Sequence, residues 1–125
     1  MKLLQSTLVA AATISATVLM SQFAYAASPN GNWYRPKTGA TIKVFNCGGG
    51  IGMRVIKSKT PKKVGKTIMC GAKKSGANKW QGNILNLDDG KTYTGKVTLN
   101  SANSLSLAGC VLGGLICKSD TWSRK

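Results

Sequence analysis

From Ala40 onward, apolar side chains return at every second position in short runs, and no stretch keeps a helical period. Ala40–Asn46 alternates around β-branched residues, Gly52–Lys57 does so less regularly, and Lys79–Leu85, Lys91–Leu99, Ser104–Val111 and Leu115–Arg124 continue the pattern. Glycines and lysine-rich turns separate the runs. A period of two turns one face of each run toward a core and the other toward water, which only a strand can do. The chain is therefore expected to be all-β and antiparallel, with six or seven strands, or eight if Lys66–Cys70 also pairs.

Two runs carry a glycine where a strand interior would be weakened, at Gly82 and Gly95. Glycine suits such a place where a sheet coils tightly or a large ring lies over the backbone. Strong curvature in so short a chain points to a small, strongly curved antiparallel sheet or a barrel of 6–8 strands.

The first 26 residues read differently. Lys2 precedes an apolar run from Leu3 to Met20, and Ala24-Tyr25-Ala26 offers small residues at a cleavage site. That is the layout of a secretory leader. Gln5, Ser6, Thr7, Thr13, Ser15 and Thr17 make the run too polar for a membrane anchor. The expected organisation is a cleaved leader over residues 1–26 and one β domain over 27–125, periplasmic or secreted. A domain of that size has a thin core, and an oxidising compartment lets disulfides supplement it.

All four cysteines, Cys47, Cys70, Cys110 and Cys117, fall after the leader. Cys110 and Cys117 flank Gly113-Gly114, and a turn centred there sets Cys110 directly opposite Cys117 and Val111 opposite Ile116. Opposed antiparallel residues lie within disulfide reach. A redox pair would favour C-x-x-C and a zinc site other spacings, so a stapled turn is the expected role. By elimination, Cys47 and Cys70 are left for each other.

A second hairpin is expected at Asp89-Gly90, a pair suited to a two-residue primed turn. Centred there, the turn sets Ile84 opposite Gly95, Gly82 opposite Val97, Trp80 opposite Leu99 and Tyr93 opposite Asn86. Trp80, Ile84, Tyr93, Val97 and Leu99 then share one face, and Gln81 and Lys96 the other.

Charge and inventory narrow the function. The formal net charge is +15, or +14 once Lys2 is set aside with the leader, and it draws the protein toward anionic partners. The chain holds no histidine and no glutamate, which removes a Ser-His-Asp triad and histidine-based metal sites. Asp88 and Asp89 read as turn chemistry rather than a catalytic pair, and Asp120 as a surface partner of Lys118. The residues argue against an enzyme, and no cofactor or metal ligand set stands out.

Lys57, Lys59, Lys62, Lys63 and Lys66, extended by Lys73, Lys74 and Lys79, form the densest basic segment. It suits loose, salt-sensitive contact with an anionic surface or polymer, or else a solvated loop. Aromatic residues are not interleaved with these lysines as stacking platforms, which argues against nucleic acid. Trp33, Trp80, Tyr93 and Trp122 are the large rings, read as core or as the lining of a ligand pocket.

Gly31-Asn32-Trp33 in the first strand, together with Trp122-Ser123-Arg124 in the last, resembles the calycin barrels, where a G-x-W tryptophan packs under an arginine from the far end. If the terminal strands meet, Arg124 stacks over Trp33. Trp80-Gln81-Gly82-Asn83-Ile84, Asp89-Gly90-Lys91-Thr92-Tyr93, Gly109–Gly114 and the terminal Trp122-Ser123-Arg124 resemble the bacterial domain-of-unknown-function family numbered 2147. The resemblance implies a periplasmic or secreted β-rich domain and carries over no activity. Similar members often have a second cysteine soon after the first; here Gly52 stands near that place, leaving Cys47 to pair elsewhere or stay free.

Three roles are compatible with these residues. The first is a non-enzymatic envelope domain that binds an anionic component through its lysine-rich face. The second is a secreted effector or inhibitor docking on a partner protein. The third is a barrel that holds a small apolar ligand beside Trp80 and Tyr93.

Overall fold

The computed structural model describes residues 27–125; the expected leader, residues 1–26, lies outside the described residues. Eight antiparallel strands run in chain order and close into a barrel. They are β1 (Gly31–Arg35), β2 (Ala40–Cys47), β3 (Gly50–Lys57), β4 (Thr67–Gly76), β5 (Lys79–Leu85), β6 (Thr92–Ser101), β7 (Ser104–Val111) and β8 (Ile116–Arg124). The questioned segment near Cys70 is thus a full strand, longer than the sequence pattern suggested.

Alternation fills the interior. Ile42 and Val44 from β2, Met53 and Val55 from β3, Val97 and Leu99 from β6, and Leu105 and Leu107 from β7 are all buried. Strand β4 breaks the period: its buried residues are Met69 and Ala72, three apart. Gly71, at φ 84°, absorbs an extra residue there, and the β3–β4 register slips between Ile51 and Met53. Because β4 continues to Gly76, Lys73 and Lys74 stand on the strand wall rather than in a solvated loop.

The glycines in β5 and β6 mark the tightest coiling. A Cβ on Gly82 would lie 2.7 Å from the Ala72 Cα, and one on Gly95 would lie 2.8 Å from the Met69 Cε. The β5–β6 register differs from expectation by two residues: Ile84 faces Tyr93, Gly82 faces Gly95 and Trp80 faces Val97. The connection is a loop, not a two-residue turn. Asn86 N–H donates to Lys91 O, Gly90 N–H donates to Asn86 O, and the Asn86 side-chain oxygen accepts from Asp88 N–H. A slip of two preserves which side chains face inward, so Ile84, Val97 and Leu99 are core as expected.

Both bridges form. Cys110 pairs with Cys117 at a Cα–Cα distance of 4.1 Å in the expected register, and Cys47 pairs with Cys70 at 5.2 Å. The pairing of Cys47 is therefore settled in favour of Cys70.

The two ends of the barrel differ. At one end the segment before β1 packs across the opening, with Pro29 buried and its carbonyl accepting from Trp33 Nε1 at 2.8 Å. Arg124 seals that end. Its guanidinium lies 4.3 Å above the Trp33 ring and donates to the carbonyls of Ser28, Asn30 and Ala102. The opposite end, framed by the β1–β2, β3–β4, β5–β6 and β7–β8 connections, stays open.

Candidate functional site

The open end leads into a cavity of about 850 Å³. Its wall is apolar because the inward positions nearest the mouth are aliphatic or aromatic: Ile42, Val55, Ile68, Ile84, Tyr93, Leu107 and Trp122 all line it. Below them Trp33, Val44, Met53, Val97 and Leu105 pack to near-complete burial, so the lower half is filled and the upper half is hollow.

Of the four large rings, two line this space. Tyr93 and Trp122 face the cavity. Trp33 lies beneath Arg124 at the sealed end. Trp80, expected beside the ligand space, instead packs partly buried against the core, with the Lys74 ammonium 5.9 Å from its ring centre. It starts β5 at the sealed end, too far down the wall to reach the mouth.

Charge collects at the rim. Every acidic residue of the chain, Asp88, Asp89 and Asp120, lines the opening, with Arg35, Lys37, Lys59, Lys63 and Lys118 among the cations. Asp120 is not the surface partner of Lys118 that the sequence suggested. Two residues below Lys118 on the same inward face of β8, it takes a 2.6 Å contact from Arg35 Nε and accepts from Trp122 Nε1 at 3.2 Å. Arg35 is thereby fixed across the β1–β8 seam, and Trp122 is held edge-on in the wall.

Asp88 accepts from Lys63 Nζ at 2.5 Å, and that hydrogen bond, with the ammonium charge behind it, holds its carboxyl below the ordinary 3.8. Asp89 accepts from the Tyr93 hydroxyl and from Lys91 N–H, which lowers its pKa in turn. The same carboxylate pushes the Tyr93 phenol above its usual range. Thus the β5–β6 loop is tied to the wall by Tyr93 and to the β3–β4 loop by Lys63. Among the described residues, Lys37, Lys59 and Lys118 have no carboxylate partner within salt-bridge distance.

The basic segment is divided by the fold. Lys59 and Lys63 stand at the mouth; Lys62 and Lys66, with Lys63 and Leu87, border a shallower depression of about 210 Å³; Lys57 ends β3 on the outer wall. Arg35, Lys37 and the aliphatic positions of the upper wall were not singled out as site residues in the sequence. The inward parity of β1 and β8 could have found Arg35 and Asp120, since both fall in step with Trp33 and Trp122.

The Cys110–Cys117 bridge stiffens the rim. Cys110 is only 1% exposed, while Cys117 borders the cavity, and the four residues between Val111 and Ile116 form a tight turn with Leu112, Gly113 and Gly114 at positive φ. Lys96 Nζ donates to the Gly114 carbonyl at 3.2 Å and holds the turn against β6.

Comparison with known proteins agrees with this architecture. A solved structure described as protein HP1028 from the human pathogen Helicobacter pylori, belonging to the lipocalin family, superposes with a TM-score of 0.65 at 20% identity, covering 80% of this chain and 84% of the other. At that identity the likeness is one of fold. No curated protein matches the chain. Residues 31–124, from the first strand of the barrel to the last, match the family described as an uncharacterized protein conserved in bacteria (DUF2147), and the chain belongs to that family.

Proposed function

We propose that the protein is a binding protein of the bacterial cell envelope that takes up a small amphiphile. The apolar body lies in the cavity and an anionic head group stays at the rim. The observation that carries this reading is the division of the cavity into an aliphatic and aromatic wall and a charged mouth. Its volume of about 850 Å³ lies within the range of small-molecule sites. At the mouth Asp88 and Asp120 are each engaged by a cation, so Lys37, Lys59 and Lys118 are left to meet an incoming negative charge. The similarity in fold to a protein described as a lipocalin supports a binding role over a catalytic one. Both disulfides and the leader expected over residues 1–26 support an exported location.

The test is titration with three probes of equal chain length, carrying a carboxylate, an alcohol or an amine head, read by tryptophan fluorescence. The carboxylate should bind with 1:1 stoichiometry, the alcohol more weakly and the amine least. Leu107→Trp, which projects an indole into the cavity, should weaken binding of all three while the fold, read by far-ultraviolet circular dichroism, is retained. Lys59→Gln with Lys118→Gln should weaken the carboxylate and leave the alcohol as it was. Absence of saturable binding, or affinity unchanged by Leu107→Trp, would overturn the reading.

A further inference from the structure

The rim carries an apolar tip, and two of its residues, Leu112 and Leu115, stand outside the cavity lining. In the β7–β8 turn, Leu112 is 68% exposed, Leu115 84% and Ile116 58%, the three highest exposures among the large hydrophobic side chains described. Val64, in the β3–β4 connection at the same end of the barrel, is also exposed. A small domain gains nothing by presenting such groups to water, and grouped exposure of this kind marks a contact surface.

The turn is built to keep them there. Cys110–Cys117 closes its base, Lys96 holds the Gly114 carbonyl, and Leu112 sits at φ 55°, a conformation that a leucine adopts only under constraint.

What surrounds the tip identifies the occupant. Lys59, Lys62, Lys66 and Lys118 stand in the connections and strand ends of the same end of the barrel. The three carboxylates there are engaged by Lys63, Tyr93 and Arg35, so the surface around the leucines is cationic. Leucines at the centre with lysines around them complement a bilayer whose headgroups are anionic and whose acyl region begins a few ångströms below.

We propose that the protein docks mouth-first on anionic bilayers, with Leu112 and Leu115 inserting below the headgroups and the rim lysines resting on them. In that orientation the cavity opens onto the lipid surface. Docking requires the tip and the lysines but not an occupied cavity, so it stands or falls separately from the ligand reading above.

Residues 27–125, which form the closed barrel with both disulfides, are sedimented with vesicles of phosphatidylcholine alone or with about a third phosphatidylglycerol, across a salt series. The wild type should be retained on the anionic vesicles at low salt and released as salt rises. Leu112→Asp with Leu115→Asp should weaken retention by at least about tenfold, and aspartate at position 112 suits the backbone there. Lys73→Gln with Lys74→Gln, on the wall toward the sealed end, should leave retention unchanged. Leu115→Trp should shift its emission to the blue on anionic vesicles and be quenched by shallow lipid quenchers. Leu107→Trp should still dock, which separates this proposal from ligand uptake. No retention at low salt, or retention equal in the double aspartate variant, would overturn the proposal. So would concentration-dependent dimerisation without vesicles that the same variant abolishes, because the tip would then be a self-association surface.

Discussion

Arg124 closes the barrel by stacking on Trp33: its guanidinium carbon lies 4.3 Å from the ring centroid while its three nitrogens donate to the carbonyls of Ala102, Asn30 and Ser28. One planar cation thereby joins the last strand, the β6–β7 turn and the segment before β1. No lysine can do this, because the contacts need a fork of donors in the plane that also stacks. The direct β1–β8 ladder is short, only Trp33 with Arg124 and Tyr34 with Ser123, so the arginine carries much of the closure.

Replacing Arg124 should therefore cost more than an ordinary surface charge. Arg124→Ala is expected to lower stability by about 2–4 kcal/mol, from the lost cation–π contact and the charge-assisted hydrogen bonds. Arg124→Lys should recover only a minor part of it. Urea denaturation followed by tryptophan fluorescence measures both.

The two disulfides should contribute unequally. Cys47–Cys70 spans 23 residues and Cys110–Cys117 spans 7, so chain-entropy reasoning gives about 3.5 and about 2.5 kcal/mol respectively. Cys110→Ala with Cys117→Ala should leave the barrel folded but speed hydrogen exchange in the β7–β8 turn. Cys47→Ala with Cys70→Ala should lower the denaturation midpoint further, without that local effect on exchange.

A single methyl group at Gly82 should be felt throughout the β4–β5 pair. Its Cβ would stand 2.7 Å from a backbone carbon of Ala72, which cannot move aside, so Gly82→Ala should destabilise by about 1–3 kcal/mol. Ala72→Gly in the same chain removes the opposing methyl but not that backbone carbon, so it should restore only part of the loss. Thermal melts of the single and double variants test this.

The Asp89–Tyr93 contact sets a pH window. Asp89 has a lowered pKa in the folded protein, so its contribution is present above the ordinary carboxylate range and lost as pH falls through the depressed value. Tyr93 has a raised pKa, so its contribution is complete below the ordinary phenol range and lost as pH rises through the raised value. Ultraviolet titration should find Tyr93 ionising above the ordinary phenol range, and Asp89→Asn should bring it down.

The architecture was legible where a pattern survives small errors of registration. Period-two runs exposed six of the eight strands, and a turn centred on Gly113-Gly114 placed Cys110 against Cys117 because the flanking residues are symmetric about it. The Asp89-Gly90 hairpin was misregistered by two because Asn86 captures the Asp88 amide and enlarges the loop, an interaction that depends on side-chain geometry. Strand β4 was obscured by its bulge at Gly71, which leaves its two buried residues, Met69 and Ala72, three apart rather than two.

The site was harder to read. Tyr93 and Trp122 line the cavity, but the sequence named them together with Trp33 and Trp80, since the alternation that turns a ring inward says nothing about its height in the barrel. The mouth is assembled from connections far apart in the chain, from Arg35 to Asp120, and no local spacing signals that convergence. The lysines of residues 57–66 looked like one face in the sequence, whereas the β3–β4 connection divides them between the mouth and the outer surface.

The hydrogen bond from Arg124 to Ser28 joins positions 96 residues apart, so the cylinder lacks its final stave until almost all of the polypeptide is available. Earlier hairpins can form, but each would leave an unpaired margin with no cover over Trp33. Long-range pairing of this kind is slow to nucleate, since the loop entropy falls due before the reward. A nascent chain with that requirement stays pliable until its last residues have been made.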